Sequence, residues 1–135
     1  MFEYRLSDTD IIKDVTAKEV AKLQKDNSSD YMFNKYPEGA RFLGYFKKDE
    51  CVGTAGWIVR GKRIELIGAI VAEDYRGQGI YRKLFQIREN LCWKLGCEYL
   101  YSYATRMSLP TFLKNGFVEK KRYNNTSYVR KDKRI

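Results

Sequence analysis

Residues 75–82 read "YRGQGIYR", with Arg76 and Arg82 bracketing Gly77 and Gly79. Two glycines spaced by one residue let a ligand come close to the backbone, and the arginines supply full positive charge. A helix is expected from about Ile80, because Ile80, Leu84, Ile87, Leu91 and Leu95 recur at helical spacing and Gly96 follows as a stop. The first turn of a helix carries N–H groups without intrahelical partners, and the dipole adds about half a positive charge there. Arg76, Gly77, Gln78, Gly79, Ile80 and Tyr81 are therefore candidate ligands of a di- or polyphosphate. The pattern is weak by itself, since two-glycine turns also serve purely structural roles. A Walker loop is excluded by the missing Gly-Lys-Ser/Thr ending. A dinucleotide fingerprint is disfavoured because the preceding strands read as an antiparallel meander.

Other chemistry is narrowed by what the chain lacks. With no histidine, neither a Ser-His nor a Cys-His mechanism is available. Three cysteines, Cys51, Cys92 and Cys97, form no CxxC pair, so a metal site is not expected and inert thiols are. A general base must be a carboxylate, a tyrosine, a lysine, a cysteine or water.

The elements that must position the loop follow from periodicity. Residues 1–6 alternate as a short strand. Ser7 with Asp10, and Thr16 with Glu19, have capping-box spacing, and Ile12, Val15, Val20 and Leu23 recur near helical spacing. Residues 8–26 therefore read as one broken helix or two short ones. Residues 26–39 form a long loop containing Tyr31, Phe33 and Tyr36. Strands are expected at 40–47, 51–60 and 63–71, joined by tight turns, with Gly68 marking a bulge or a close backbone approach. A strand at 97–104 follows the long helix, then a short helix at 108–116 with Pro110 in its first turn and Gly116 at its end. A final hairpin closes the chain. These elements make one domain over 1–135.

"AIVAEDYRGQGIYRKL" resembles the acetyl-CoA loop of the GNAT superfamily of N-acetyltransferases, whose motif is Arg/Gln-x-x-Gly-x-Gly/Ala after a strand ending in Val. Arg76, Gly79 and Tyr81 fall on its three defined places, Tyr81 departing from the small residue. "TFLKNGFVEKKRY" resembles a second landmark, an aromatic four residues before a Gly-Phe pair, and the element order matches over nearly the whole chain. The resemblance implies an α+β, three-layer fold: a mixed, mostly antiparallel sheet of six or seven strands with a central V-shaped splay, flanked by three or four helices. It also implies acetyl-CoA as co-substrate and a primary amine as acceptor.

By the same resemblance the pantetheine arm would pair with the backbone near Ile70 and Val71, and the 78–81 amides would take the pyrophosphate. Glu65 would be the general base; alternatively it is a solvent-facing carboxylate paired with Arg63 or Lys62. The family's frequent acid, a tyrosine, is Phe112 here, and its frequent asparagine is Thr105. Tyr103 is the candidate substitute acid, or else an ordinary packing residue, and the thiolate can also leave unaided. Tyr31, Phe33, Tyr36 and Trp57 are candidates for the acceptor wall, or else a hydrophobic plug over the sheet.

The net charge of +9 is unevenly spread: zero over residues 1–60, +3 over 61–113 and +6 over 114–135. A basic end suggests an anionic partner, while "RKDKRI" also reads as a solvated tail. Two further readings thus stand beside the enzyme: a non-catalytic acyl-CoA-binding module, and a basic domain binding nucleic acid or an acidic protein. The first ten residues lack a signal-peptide pattern and no apolar run has membrane-spanning length, so a cytoplasmic monomer or homodimer without membrane contact is expected.

Overall fold

The computed structural model describes residues 2–27 and 36–134. Among these residues eight strands build one sheet: β1 (Glu3–Arg5), β2 (Asp10–Val15), β3 (Arg41–Lys47), β4 (Glu50–Arg60), β5 (Arg63–Val71), β6 (Tyr99–Thr105), β7 (Val118–Arg122) and β8 (Thr126–Asp132). They lie in the order β1-β2-β3-β4-β5-β6-β8-β7. Every pairing is antiparallel except β5 with β6. Among the described residues the helices are α1 (Ala17–Asn27), α2 (Ile80–Lys94) and α3 (Leu109–Lys114), with a 3-10 turn at Glu73–Tyr75.

The sheet has one strand more than the expected six or seven. The extra one is β2, which lies inside the stretch read as helix. Ser7 does not cap a helix: its Oγ accepts from the N–H groups of Thr9 and Asp10 at 3.3 and 3.1 Å, closing the turn between β1 and β2. Asp10–Val15 then pairs with six consecutive residues of β3. That ladder lies 30 residues away in sequence and outweighs the local signal. The second capping box is real. Thr16 Oγ1 accepts from Glu19 N–H at 3.2 Å, and Glu19 Oε1 accepts from Thr16 N–H at 3.5 Å, so α1 begins just after it.

Strand alternation sorts the core into two faces. Leu43, Val52, Trp57, Ile64, Leu66 and Leu100 point to one side, where they pack with Ile80, Leu84 and Phe85 of α2 and Phe112 of α3. Phe42 and Phe46 point to the other side, with Val20 and Leu23 of α1. The result is three layers, helix, sheet and helices. On α2 the buried row is Ile80, Leu84, Phe85, Arg88 and Cys92. Leu95, taken as the end of the apolar stripe, is 58% exposed. Lys131 Nζ on β8 reaches Glu89 of α2 and the Asn115 carbonyl after α3, both at 2.7 Å, fastening the second helical layer to the end of the sheet.

Cys92 and Cys97 are buried and Cys51 partly so. Burial pushes the Cys51 thiol up to about 11 and Cys92 up to about 12, and raises Cys97 as well. A pKa near 11 leaves roughly one thiolate in ten thousand at pH 7. The native protein should therefore react slowly with an aromatic disulfide at neutral pH and release about three equivalents of chromophore promptly in denaturant. Fast reaction of one thiol in the native state would contradict the packing.

Candidate functional site

β5 and β6 pair in parallel over three residues, Arg63–Tyr99, Ile64–Leu100 and Glu65–Tyr101. Beyond these pairs they diverge, while β5 runs on to Val71 and β6 to Thr105. Two side chains bond to the β5 wall where the gap begins: Ser102 Oγ of β6 donates to the Leu66 carbonyl at 2.8 Å, and Arg88 Nη1 of α2 donates to the Ile67 carbonyl at 3.3 Å and to the Gly56 carbonyl of β4 at 3.4 Å. The opening is a cleft of about 460 Å³ between the strands, with Tyr36 and Gln24 on one side and Tyr81, Arg88 and Phe112 on the other.

A bulge shapes the β5 wall. The β4–β5 register slips between Thr54 and Gly56. Gly68 has φ +65°, and Thr54 Oγ1 donates to its carbonyl at 3.1 Å. The Phe42 ring lies against Gly56 and Gly68, so a Cβ would meet it at 2.4 and 2.8 Å respectively. Tyr36 stands edge-on to Phe42 at 5.0 Å, and its hydroxyl accepts from Gln24 Nε2 at 2.6 Å. The bulge also reverses strand parity. Glu65 alternates with the core residues Ile64 and Leu66, yet Val71 joins that same core. Glu65 and Val71 therefore face opposite sides of the sheet, although a separation of six residues by itself predicts one shared face, because the inserted residue shifts the period of two.

At the end of β5, Arg76 Nε donates to the Val71 carbonyl at 3.1 Å, folding the loop back towards α2. Gly77 and Gly79 both have φ +80°, and nothing lies within 4 Å of a Cβ added at either. Gly79 is the residue before α2, and the first helical bond runs from Lys83 N–H to its carbonyl. The N–H groups of Ile80, Tyr81 and Arg82 precede that bond and face the open side of the turn. Arg76, Gln78 and Arg82 are exposed around it. An open turn of amides flanked by cations fits a pyrophosphate, and the edge of Leu66–Val71 towards β6, which lacks a strand partner, fits an extended arm.

A family model described as the acetyltransferase (GNAT) family matches residues 10–117. The chain belongs to this family. Solved structures agree on the fold. A GNAT acetyltransferase from Elizabethkingia anophelis with acetyl-CoA bound superposes with a TM-score of 0.74 at 15% identity, covering 94% of this chain and 100% of that one. An acetyltransferase of the same family from Staphylococcus aureus Mu50 gives 0.73 at 15% identity, covering 91% and 98%. The PaiA N-acetyltransferase from Thermoplasma acidophilum, in complex with coenzyme A, gives 0.64 at 20% identity; the match covers 70% of this chain and 62% of that one. Comparison with curated proteins finds no match.

Within this GNAT domain the expected site residues separate into groups. Glu65, Ile70, Tyr81, Tyr103, Thr105 and Tyr36 line the cleft. Glu65 Oε1 accepts from Arg60 Nε at 2.8 Å and from the Tyr101 hydroxyl at 3.5 Å, so its cationic partner is Arg60 rather than Arg63 or Lys62. Tyr103 is half exposed and stacks with Tyr101 and Tyr128 on the face opposite Phe112. Thr105 and Ser108 bond each other reciprocally across the turn into α3. Trp57 is buried in the core beneath α2 and lies outside the cleft. Tyr31 and Phe33 lie outside the described residues. Phe112 is buried in an aromatic cluster, 5.0 Å from both Phe85 and Phe117.

Sequence reasoning passed over Arg88 and Ser102. A signal for Arg88 was present, since a charged residue at the 88 position interrupts the row Ile80, Leu84, Cys92 at helical spacing.

Proposed function

We propose that the domain transfers an acetyl group from acetyl-CoA to a primary amine by direct attack. The observation that carries this reading is the cleft between β5 and β6, which leads to the open amide turn before α2. The N–H groups from Gln78 to Tyr81 take the pyrophosphate, with Arg76 and Arg82 adding charge, and Gly77 and Gly79 keep the turn open. The pantetheine arm lies along Ile70 and Val71 in the manner of an added strand, and Thr105 borders it from β6.

The acceptor enters from the α1 side, past Tyr36 and Tyr103. Its nitrogen attacks the thioester carbonyl carbon, and a hydrogen bond to the carbonyl oxygen stabilises the developing oxyanion. Glu65, through water, takes the proton that the adduct nitrogen gives up. Arg60 Nε and the Tyr101 hydroxyl both donate to the Glu65 carboxylate and hold it at the edge of the cleft.

Calorimetry with acetyl-CoA and a thiol-release assay over an amine panel test the reading. Binding near the micromolar range, turnover on at least one amine, and a Glu65→Gln loss of ~10²–10⁴ in kcat are expected. Absence of acetyl-CoA binding would end the proposal at its first step. Phe112, which has no proton to give at the family's acid position, favours a second reading, a non-catalytic acyl-CoA-binding module. That reading requires binding without turnover on any amine.

A further inference from the structure

Among the described residues, two buried side-chain polar atoms lack a hydrogen-bond partner: the Tyr81 hydroxyl and Arg88 Nε. Both side chains line the same cleft. Buried polar groups in folded proteins are nearly always paired, so two orphans in one cavity point to a ligand that completes them. Arg88 is 1% exposed, and no ion pair among the described residues includes it. A buried guanidinium without a carboxylate stays charged, and is best matched by an anion or a group that becomes one.

Position narrows the ligand atom. Tyr81 and Arg88 are seven residues apart on α2, hence on one face of the helix. That face looks towards Phe112: the Tyr81 ring is 6.1 Å from Phe85, and Phe85 is 5.0 Å from Phe112. Arg88 lies eight residues beyond Ile80, about 12 Å along the axis, too deep for the phosphates at the helix start. Between the phosphates and the acetyl group, acetyl-CoA is an uncharged chain that ends in sulfur. That sulfur becomes anionic as its bond to the acetyl carbon breaks.

We propose that the Tyr81 hydroxyl donates to the departing sulfur, and that the Arg88 guanidinium holds the negative charge the sulfur acquires. The cleft thus supplies from α2 the donor that Phe112 lacks on α3. When the adduct collapses, the C–S electron pair goes to sulfur, which takes the Tyr81 proton to give the free thiol. The phenolate regains, through water, the proton that Glu65 took from the adduct nitrogen, so the transfer balances with no added reagent. Burial raises the Tyr81 phenol and the nearby Arg88 charge draws it back, so the hydroxyl is a protonated donor at neutral pH. The other polar groups lining the cleft are Gln24, Tyr36, Glu65 and Tyr103, with Ser102, Thr105 and Ser108.

The inference rests on the acetyl-transfer reading, and coenzyme A itself can test it without knowledge of the acceptor. Coenzyme A labelled with carbon-13 beside the sulfur is bound to the protein, and its thiol is titrated by the carbon shift. On the wild type the thiol should ionise below its free value of ~8.5. Tyr81→Phe keeps the ring against Phe85, should bind coenzyme A within about threefold of wild type, and should raise the midpoint by about one pH unit, a tenfold change in thiolate fraction. Adding Phe112→Tyr to Tyr81→Phe should bring the midpoint back down. Identical titrations of wild type and Tyr81→Phe would overturn the inference while leaving acetyl transfer standing. So would much tighter binding by Tyr81→Phe with no shift, which would make the ring a plug. Failure of the wild type to bind coenzyme A would remove the acetyl-transfer reading, and this inference with it.

Discussion

Gly79→Asp should lower acetyl-CoA affinity by roughly a thousandfold while leaving the fold intact. The two effects separate because of where Gly79 sits. It precedes α2 with φ +80°, and an added Cβ meets nothing within 4 Å. Aspartate tolerates the left-handed region better than most residues, and a carboxylate at a helix N-terminus gains ~0.3–1 kcal/mol from the dipole. Strain and dipole nearly offset, so the melting temperature should move little. The same carboxylate stands where the proposed function places the pyrophosphate. At ~4 Å and an effective dielectric of ~20, two like charges repel by ~4 kcal/mol, which is about three decades in affinity. Gly79→Ala supplies the control: it brings the backbone strain without the charge, and should lose no more than about tenfold. Calorimetry on the two variants separates these outcomes. An aspartate variant that binds as tightly as the alanine one would show that the phosphates lie elsewhere.

The second large effect concerns stability. Gly68→Val should destabilise the domain by ~2–5 kcal/mol. The β-branched side chain must adopt φ near +65°, a conformation costing ~1–3 kcal/mol, and its Cβ would meet the Phe42 ring at 2.8 Å. Overpacking of that kind adds ~1–3 kcal/mol. Against a total stability of ~5–15 kcal/mol, the loss should appear as a clear drop in urea midpoint. The strand can relieve the strain by giving up the bulge, which would restore plain alternation and turn Val71 out of the core. A variant with wild-type stability would mean that the Phe42 ring moves aside freely.

What could be read from the chain divides along the range of the interactions that decide it. Arg63–Val71 appears at its predicted limits, and the helix from Ile80, the turn at Gly96 and the Pro110 helix follow local rules that hold in the structure. Asp10–Val15 does not, because "DIIKDV" satisfies both a helical and an alternating pattern, and the choice was made by a ladder to β3. Gly68 was legible as an interruption. Its consequence was not, since only the β4–β5 register shows that Glu65 and Val71 part company across it. Trp57 fell on the core side for a similar reason: its face depends on the register with Leu66, not on its neighbours in sequence. The open turn at Gly77 and Gly79 was legible because backbone conformation there follows directly from glycine. The placing of Tyr36 at the cleft was not, since it depends on contacts distant in sequence, among them a hydrogen bond to Gln24 and an edge contact with Phe42.

The seam between β5 and β6 has a consequence for how the molecule opens. The strand ladder between the five-stranded part, β1 to β5, and the part formed by β6, β8 and β7 is three residue pairs long. Backbone amides on either side of such a seam exchange with solvent through partial separation of the two parts, without global unfolding. A ligand lying in the gap as an extra strand would bond to both flanks and join them into one cooperative unit. Its binding would then be felt as slowed amide exchange as far away as the terminal hairpin, which touches no phosphate.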